Sequence, residues 1–449
     1  MTCVQYLDLA AETVKEAERL GAYQAEAYVL DARSLQIEVA NQEIETLKFA
    51  NDTGIGVRVI AQDGRMGFAF STDIELPAMR SVAEKAVANC RNTFADRYNR
   101  LPAPGEEPQS AKGVDPAIAR ASVDEKIELA KRIERAARGS DKRVSRTERC
   151  VYEDAEYGVT LANSHGLAAH YRSGYCGLYG VVLAEADGDV QSGMGLCYSR
   201  DFACLSPEAV GREAAAEAAL LLGAKTTGTT KTSLVLSPYV ATNFFAAVIP
   251  ALGADAVHKG RSLFRNKIGT KVASPLISLV DDGRLEGGIV SAPFDGEGVP
   301  TRRTALLEEG VLKGYLYNTY SAARDNCRST GNGVRHSFKG LPEVGPTNIY
   351  IEPGKTARRD LIGGVQDGFY VTSVMGMHTA NPISGDFSVG AAGVWIQGGQ
   401  FTQAVRGVAV AGNILNLLGQ VEAVGDDLRF FGAQGAPTIL IGGITVSGA

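Results

Sequence analysis

Two histidines lie in segments that could support chemistry. The sequence has five histidines, and His336 and His378 each follow a glycine-containing stretch. An imidazole can hold a metal ion or move a proton near neutral pH. We expect each of the two either to line a pocket or to be a hydrogen-bonded structural group, and both interpretations stay open. The remaining histidines share no helical face at three- or four-residue spacing and are expected to be structural or exposed; they are His165, His170 and His258.

Four carboxylates form a second candidate group. Asp281 and Asp282 precede Gly283, and Asp295 and Glu297 alternate with glycines. Asp-Asp-Gly is typical of a turn, and carboxylates in such loops usually accept hydrogen bonds from backbone N–H groups. We therefore predict structural loops here and no acidic metal site. The sequence also contains no Gly-x-Ser-x-Gly nucleophile motif.

Composition and charge exclude several classes of protein. The net charge is −6 and the pI is about 5.6, with no basic stripe that could neutralise a nucleic-acid backbone. Seven cysteines, an odd number without CxxC spacing, favour reduced thiols and a cytoplasmic location. No apolar run reaches the roughly 18–20 residues that a membrane span needs. The sequence predicts a soluble protein without nucleic-acid or membrane partners.

The length of 449 residues favours two domains, since one domain typically has about 100–200 residues. A small, polar segment, 223–230, is the best candidate for the boundary. We predict an α+β fold. It comprises an N-terminal domain, residues 1–225, of antiparallel meanders with helices, and a C-terminal β-rich domain, residues 226–449, with few helices.

The N-terminal half shows the same pattern twice. An amphipathic helix ending at Gly21 precedes strand-like alternation, with a hairpin at Asp63-Gly64, and then a helix that Thr72 or Asp73 should open. Ser122 and Glu125 form a capping box before a second helix, strand region and helix. This repetition of meander followed by helix predicts a duplicated unit.

The C-terminal half is predicted to consist mainly of short strands. Ser237 should cap a helix that begins with Pro238, and two further short helices are expected near 357–365 and 412–418. Exposed edges of the C-terminal sheet could then lie against a partner or add an extended peptide as a further strand.

A series of short motifs in one order resembles the TldD/PmbA family. The series begins at Gly260 and ends at Thr438. It comprises Gly260-Arg261-Ser262-Leu263-Phe264, Asp281-Asp282-Gly283, Asp295-Gly296-Glu297-Gly298, Thr330-Gly331-Asn332-Gly333, Ser384-Gly385, Gly412-Asn413 and Gly435-Ala436-Pro437-Thr438. The resemblance is dense in the C-terminal half and covers the N-terminal half in outline.

The resemblance implies a zinc site that this chain does not retain. Catalytic members carry His-Glu-x-x-x-His on a helix upstream of the glycine motif and a cysteine near the C-terminus. Here Phe245 and Pro250 stand at the histidine positions and Ala246 at the glutamate position. The segment 426–437 lacks cysteine, and the last cysteine is Cys327. Such concerted loss resembles the PmbA branch, also called TldE, and so we expect no metal and no catalytic residue in this chain.

The first hypothesis is therefore a non-catalytic subunit that pairs with a TldD-type zinc metalloprotease chain acting on peptides in the cytoplasm, with zinc expected in that partner. Substrate-channel or interface candidates are His336, Met377, His378, Ser384, Gly385 and Asp386. Two alternatives stay open. The chain could be a hydrolase with a cryptic site formed by His336, His378 and Asp386. It could also be a homo-oligomeric protein-binding modulator, related to gyrase or to toxin–antitoxin systems.

Overall fold

The computed structural model describes residues 2–102 and 113–448. Most of the proline- and glycine-rich stretch predicted for 92–116 as a loop within the N-terminal domain lies outside these residues. Within the described part of the chain, no helix is long and apolar enough to cross a membrane.

In the described residues, the first half of the chain contains five α-helices and six strands. They are α1 (Cys3–Arg19), β1 (Gln24–Ala40), β2 (Glu43–Ile60), β3 (Met66–Ser71), α2 (Leu76–Cys90), α3 (Pro116–Arg120), α4 (Val123–Ser140), β4 (Val144–Asn163), β5 (Ala168–Ala186), β6 (Asp189–Ser199) and α5 (Pro207–Leu220).

These strands form one antiparallel sheet in the order β3-β2-β1-β4-β5-β6. The order helix, three strands, helix occurs twice, as α1 to α2 and as α4 to α5, and the two units meet where β1 pairs with β4. The predicted repetition is therefore present in the topology. The last described strand of this sheet ends at Ser199, and the next strand begins at Thr230. The predicted domain boundary at 225/226 stays a prediction.

Local capping explains where the helices begin. Ser122 Oγ accepts a hydrogen bond from Glu125 N at 3.2 Å, and the Glu125 carboxylate accepts one from Ser122 N at 2.7 Å, as the capping box predicts. The prediction for α2 was wrong. Its N-cap is Glu75, and Asp73 instead accepts a hydrogen bond from Glu75 N, because Pro77 fits the first turn of the helix.

The second half of the chain is β-rich. Its helices are short: α6 (Pro238–Ala246), α7 (Ala254–His258), α8 (Thr319–Arg324), α9 (Arg358–Gly363) and α10 (Ile414–Gly419). Its strands are β7 (Thr230–Leu236), β8 (Leu279–Asp282), β9 (Arg303–Glu308), β10 (Val311–Leu312), β11 (Gly333–Val334), β12 (Glu343–Val344), β13 (Ile349–Ile351), β14 (Asp367–Met375), β15 (Asp386–Gln397), β16 (Gln400–Asn413), β17 (Val421–Val424), β18 (Arg429–Phe431), β19 (Gln434–Ala436) and β20 (Ile439–Ser447).

The larger C-terminal sheet closes on itself. Its order is β16-β15-β14-β7-β20-β17, and β16 also pairs with β20, so that five strands form a ring. A closed sheet has few free edges. The expectation that edges of the C-terminal sheet are exposed for strand addition therefore does not hold for this ring. The second sheet has the order β10-β9-β8-β13-β19-β18, and α6 packs between it and the ring.

A buried group of four charges joins the two halves of the chain. Glu26 on β1 and Arg58 on β2 are directly opposite each other, and their side chains meet at 2.9 Å. Arg58 also contacts Glu297 at 3.1 Å, and Arg335 contacts Glu26. The two carboxylates and Arg335 are fully buried, and Arg58 is 6% exposed. We call Glu26, Arg58, Glu297 and Arg335 the junction cluster.

The backbone of the second half holds its two members of the junction cluster in place. Thr319 N donates to Glu297 at 2.7 Å, and Arg335 Nε donates to the carbonyl of Gly296 at 2.7 Å. Asp295 accepts three backbone N–H bonds, from Glu297, Val299 and Gly333. The prediction that these carboxylates accept backbone hydrogen bonds is confirmed.

Removing one charge from the junction cluster should destabilise the protein strongly. In Arg58→Met, Glu297 loses its cation and stays buried, which costs about 3–5 kcal/mol of unfolding free energy. The exposed pair of Arg65 and Asp63 offers a control, and Arg65→Met should cost less than about 1 kcal/mol. Urea unfolding of both variants measures the difference. Equal costs for the two variants would show that the cluster does not stabilise the junction.

Candidate functional site

The positions that correspond to the metal-binding helix of catalytic family members are occupied by a core residue and by residues at helix ends. Phe245 is 6% exposed and belongs to the largest hydrophobic core. Ala246 is the last residue of α6, and Pro250 lies in the first turn of a separate 3₁₀ helix, Ile249–Leu252. Proline fits a helix start but not a helix interior. The three positions therefore do not lie on one continuous helix.

The structure does bring together the two segments from which a zinc site would be assembled. α6 contacts β18 and β19, which lie within 426–437, and the rings of Tyr239 and Phe431 are 5.2 Å apart. The side chains of Phe245, Ala246 and Pro250 contain no donor atom for a metal. In the described ranges, no group of three or more His, Cys, Asp and Glu side chains could hold a metal ion. The residues present do not fit zinc.

A second candidate region is the connection between β14 and β15, residues 375–386, which we call the Met-His loop. Met375 is 69% exposed and Ile383 is 51% exposed, and His378 and Ser384 are also exposed. Met377 is half-buried and packs against the core. The loop thus exposes two large apolar side chains and an imidazole.

Asparagine side chains hold the base of the Met-His loop. Asn381 Oδ1 accepts from the N–H groups of Ile383 and Ser384, and Gly385, with φ of +82°, donates to the Asn381 carbonyl at 2.8 Å. Asn413 donates to Asp386 at 2.9 Å. This hydrogen bond, followed by one from Ser384, lowers the pKa of Asp386. Asp386 therefore has a structural role in the Met-His loop.

The structure places the predicted histidines in different surroundings. His165 contacts the Pro102 carbonyl, His170 contacts Thr160, and both distances are 2.8 Å. These two have the structural roles that we predicted. His336 and His378 are exposed, and neither forms a hydrogen bond with a residue in the described ranges. His336 follows β11 and His378 lies between β14 and β15; their predicted role at a pocket or interface stays a prediction.

His258 contributes to a cavity of about 510 Å³ beside α7 and α8. Its Nε2 is 2.7 Å from Asp325, and the Tyr317 hydroxyl donates to the same carboxylate at 3.0 Å. Because the His258 contact ties the end of α7 to Asp325 at the end of α8, it supports the structural role predicted for His258.

Asp281 lies on β8, in a buried polar site. Asn332 Nδ2 donates to it at 2.7 Å, and the backbone and hydroxyl of Thr347 donate at 2.6 and 3.0 Å. Burial raises the pKa of Asp281 to about 6, although these hydrogen bonds lower it. Asp282 accepts from the N–H of Arg284 in the predicted turn. Neither residue faces a metal-binding partner.

Glu26, Arg58 and Arg335 were not among the residues singled out from the sequence. One signal for Arg58 was available. It is the only charged residue in the run Ile55 to Ile60, in which every residue is buried. A charge in such a run requires a buried partner.

Comparison with known families agrees with this geometry. Residues 229–448 match the PmbA/TldA metallopeptidase C-terminal domain, residues 116–222 the central domain and residues 25–90 domain 1. The chain belongs to the TldD/PmbA family. The mixed α+β fold with a β-rich C-terminal domain, which the sequence predicts, is confirmed.

The relatives include both branches of the family. The chain is 28% identical to the metalloprotease PmbA of Escherichia coli O157:H7, over 94% of this chain and 92% of that one. It is 29% identical to a metalloprotease TldD homologue of Haemophilus influenzae, over 84% and 80% of the two chains. A solved Thermotoga maritima structure, of a protein proposed to modulate a DNA gyrase, has a TM-score of 0.91 and 28% identity, over 98% of this chain and 99% of that one. The fold of TldE from Thermococcus kodakarensis matches with a TM-score of 0.90 and 24% identity, covering 98% of this chain and all of that chain (100%).

Phe245 should behave as a core residue. We expect Phe245→Ala to lower the free energy of unfolding by about 3–5 kcal/mol, because a large buried ring leaves a cavity. Phe94, which is 97% exposed, provides the control, and Phe94→Ala should have almost no effect. Thermal and urea unfolding of both variants test this. A neutral Phe245→Ala would mean that the position is still an open site.

Asp281 should give stability an unusual dependence on pH. Its pKa in the folded chain is about 6, above the ordinary value of 3.8, and so the folded chain holds this proton more tightly than the unfolded chain. Asp281 therefore adds to the free energy of unfolding below about pH 4, and this stabilisation is lost as the pH rises through about 6. The stability difference between wild type and Asp281→Asn should fall by up to about 3 kcal/mol from pH 4 to pH 7.

Urea unfolding across this pH range measures the dependence on Asp281. Asp63 is a control of opposite sign, because backbone and side-chain hydrogen bonds from Arg65 lower its pKa. A stability difference for Asp281→Asn that rises with pH would contradict the assignment.

Proposed function

We propose that this chain is the non-catalytic subunit of a zinc metallopeptidase complex, and that a TldD-type chain supplies the catalytic site. The proposal rests on one observation. Where α6 meets β18 and β19, the side chains at the expected ligand positions are Phe245, Ala246 and Pro250, and the segment 426–437 has no cysteine. A hydrolytic zinc site needs three protein ligands and a group that moves a proton.

The Met-His loop is the surface that we assign to the partner or to its peptide substrate. Exposed Met375, His378 and Ile383 lie on one loop, whose base is fixed by Asn381 and Asn413. Apolar side chains on a fixed frame lose little conformational freedom on binding, which favours an interface. In the complex, this chain would enclose and shape the catalytic chamber, while zinc and the activated water belong to the partner.

We also assign the complex to the cytoplasm and its substrates to peptides and small or unfolded polypeptides. The seven cysteines, without CxxC spacing, fit reducing surroundings. The TldD and PmbA relatives are described as metalloproteases. Peptide maturation and peptide degradation are the two reactions that such a complex would perform.

Co-purification with a TldD-type chain from the same genome tests the subunit role. We expect a stable complex at micromolar concentration, with zinc and peptidase activity in the mixture and neither in this chain alone. Light scattering, elemental analysis and a fluorogenic peptide assay give the three readings. The absence of a complex would refute the proposal. Zinc and activity in this chain alone would favour a cryptic site, and recovery of gyrase without a TldD-type chain would favour the modulator hypothesis.

A substitution in the Met-His loop tests its assigned role. Ile383→Asp places a charge on the proposed interface and should weaken complex formation about tenfold or more. Val190, on β6, is 41% exposed, and Val190→Asp is the matched control. Titration calorimetry with the TldD-type chain measures both affinities. Equal affinities would place the interface elsewhere while leaving the subunit role intact.

A further inference from the structure

The cavity beside α7 and α8 has the size of a site for a small ligand. Its volume is about 510 Å³, and such sites typically measure about 300–1,000 Å³. Part of its wall is polar, because His258 and Tyr317 both contact the carboxylate of Asp325. Val257 and Ile268 contribute apolar surface to the wall. The cavity thus combines charged and apolar groups, as ligand sites do.

Two arginines line the same cavity. Arg265 follows the glycine motif after α7, and Arg324 is the last residue of α8. The Arg324 guanidinium lies 5.9 Å from the centre of the Tyr98 ring and also near the Tyr320 hydroxyl. In the described ranges, neither arginine forms an ion pair with an Asp or Glu side chain. Both guanidinium charges are therefore available to an anion that enters the cavity.

The segment that carries Arg265 is strongly basic, although the chain as a whole is acidic. Residues 258–271 contain five Lys and Arg residues and no Asp or Glu. One of the five, Lys259, pairs with Asp255. A cluster of unneutralised positive charge raises the concentration of anions around it. The local charge therefore favours a negatively charged ligand in this cavity.

Both arginines extend from a fixed backbone. Ser262 Oγ donates to the Ala251 carbonyl at 2.5 Å and accepts from Phe264 N at 3.0 Å. The Phe264 side chain is fully buried, directly before Arg265. α8 is fixed at its first residue, since Thr319 N donates to Glu297 of the junction cluster. A site on a fixed backbone loses little conformational freedom on binding, which favours affinity.

The walls of the cavity favour a carboxylate over a phosphate. The Asp325 side chain is 36% exposed, and its negative charge repels a phosphate dianion more than a carboxylate. Arginine can hold a carboxylate by two parallel hydrogen bonds. Ile268, which is 51% exposed, offers contact to a hydrocarbon group beside that carboxylate. The C-terminal residue of a peptide combines these two features.

We propose that this cavity binds a carboxylate that carries an apolar group, and that the C-terminal residue of a peptide is its source. Arg265 and Arg324 hold the carboxylate, and Ile268 contacts the apolar side chain. His258 and Asp325 are positioning residues, because they tie α7 to α8. The peptide as the source rests on the proposed function, since hydrolysis of a peptide bond creates a new C-terminal carboxylate. The carboxylate site itself follows from the residues of this chain.

Titration calorimetry of the full chain alone, with N-acetyl-Ala-Ala-Leu as the probe, tests the site. We expect the free acid to bind at least about tenfold more tightly than the same peptide with a C-terminal amide. Arg265→Gln and Arg324→Gln should each weaken binding of the acid about tenfold or more. Arg265→Lys should recover part of the loss, because lysine keeps the charge but lacks the planar guanidinium.

Arg261→Gln is the matched control for charge. Arg261 is exposed in the same basic segment but does not line the cavity, and so this variant should bind the acid as the wild type does. Arg265 and Arg324 are also exposed, and their variants should unfold at the wild-type temperature. Thermal unfolding of all three variants thus separates lost binding from lost folding.

Four outcomes would overturn the carboxylate site. They are no binding of the acid at about 10 mM, equal affinities for acid and amide, an affinity that neither arginine substitution changes, and tighter binding of inorganic phosphate. N-acetylleucine tests the source of the carboxylate. If it binds as tightly as the peptide, the assignment to peptides is wrong and the ligand is a small organic acid. The subunit role is tested separately, by complex formation between the wild-type chain and a TldD-type chain.

Discussion

The structure depends on keeping four buried charges neutralised at the junction of its halves. Glu26 and Arg58 come from adjacent strands of the first sheet, and Glu297 and Arg335 come from two separate segments of the second half. An ionised group in a protein interior costs several kcal/mol unless a partner meets it. Each half therefore supplies one acid and one base, and the arrangement fixes their relative position. The glycine-flanked Asp295 and the N-terminus of α8 hold the loop that presents Glu297. The loop that the sequence predicts as structural thus joins the two halves of the fold.

Residues of α6 likewise have a structural role. A helix that would carry metal ligands in a catalytic relative here ends at Ala246, and Phe245 packs into the main core. Burial of the Phe245 ring gives this segment a structural role, because hydrophobic burial stabilises it. The surrounding sheets are retained, as the match of residues 229–448 to the family's C-terminal domain indicates. The missing ligands and the family match together support the proposed subunit role.

Sheet closure decides which edges can meet another molecule. β16 pairs with both β15 and β20, and so the C-terminal ring protects the strand edges that the sequence suggested were available. In the N-terminal sheet, β3 is shorter than its neighbour β2, and the unpaired length of β2 is exposed. The bulge at Glu45 turns Ile44 toward the same side as Leu47, which concentrates apolar surface on one face. Strand length and register, which are properties of pairing, determine where the protein can associate.

The sequence alone determined the local features and the family. Period-two alternation, the capping box at Ser122, the Ser237 cap before Pro238 and the hairpin at Asp63-Gly64 depend on neighbouring residues, and each appears as predicted. The sequence alone also shows that Phe245 and Pro250 cannot bind a metal through their side chains, because neither side chain has a donor atom. Only the tertiary structure decided that Arg58 meets Glu297, more than two hundred residues away, that the C-terminal sheet closes, and that the edge of β2 stays open. These are long-range pairings, and a linear pattern does not specify which distant partner a buried charge or a strand edge will find.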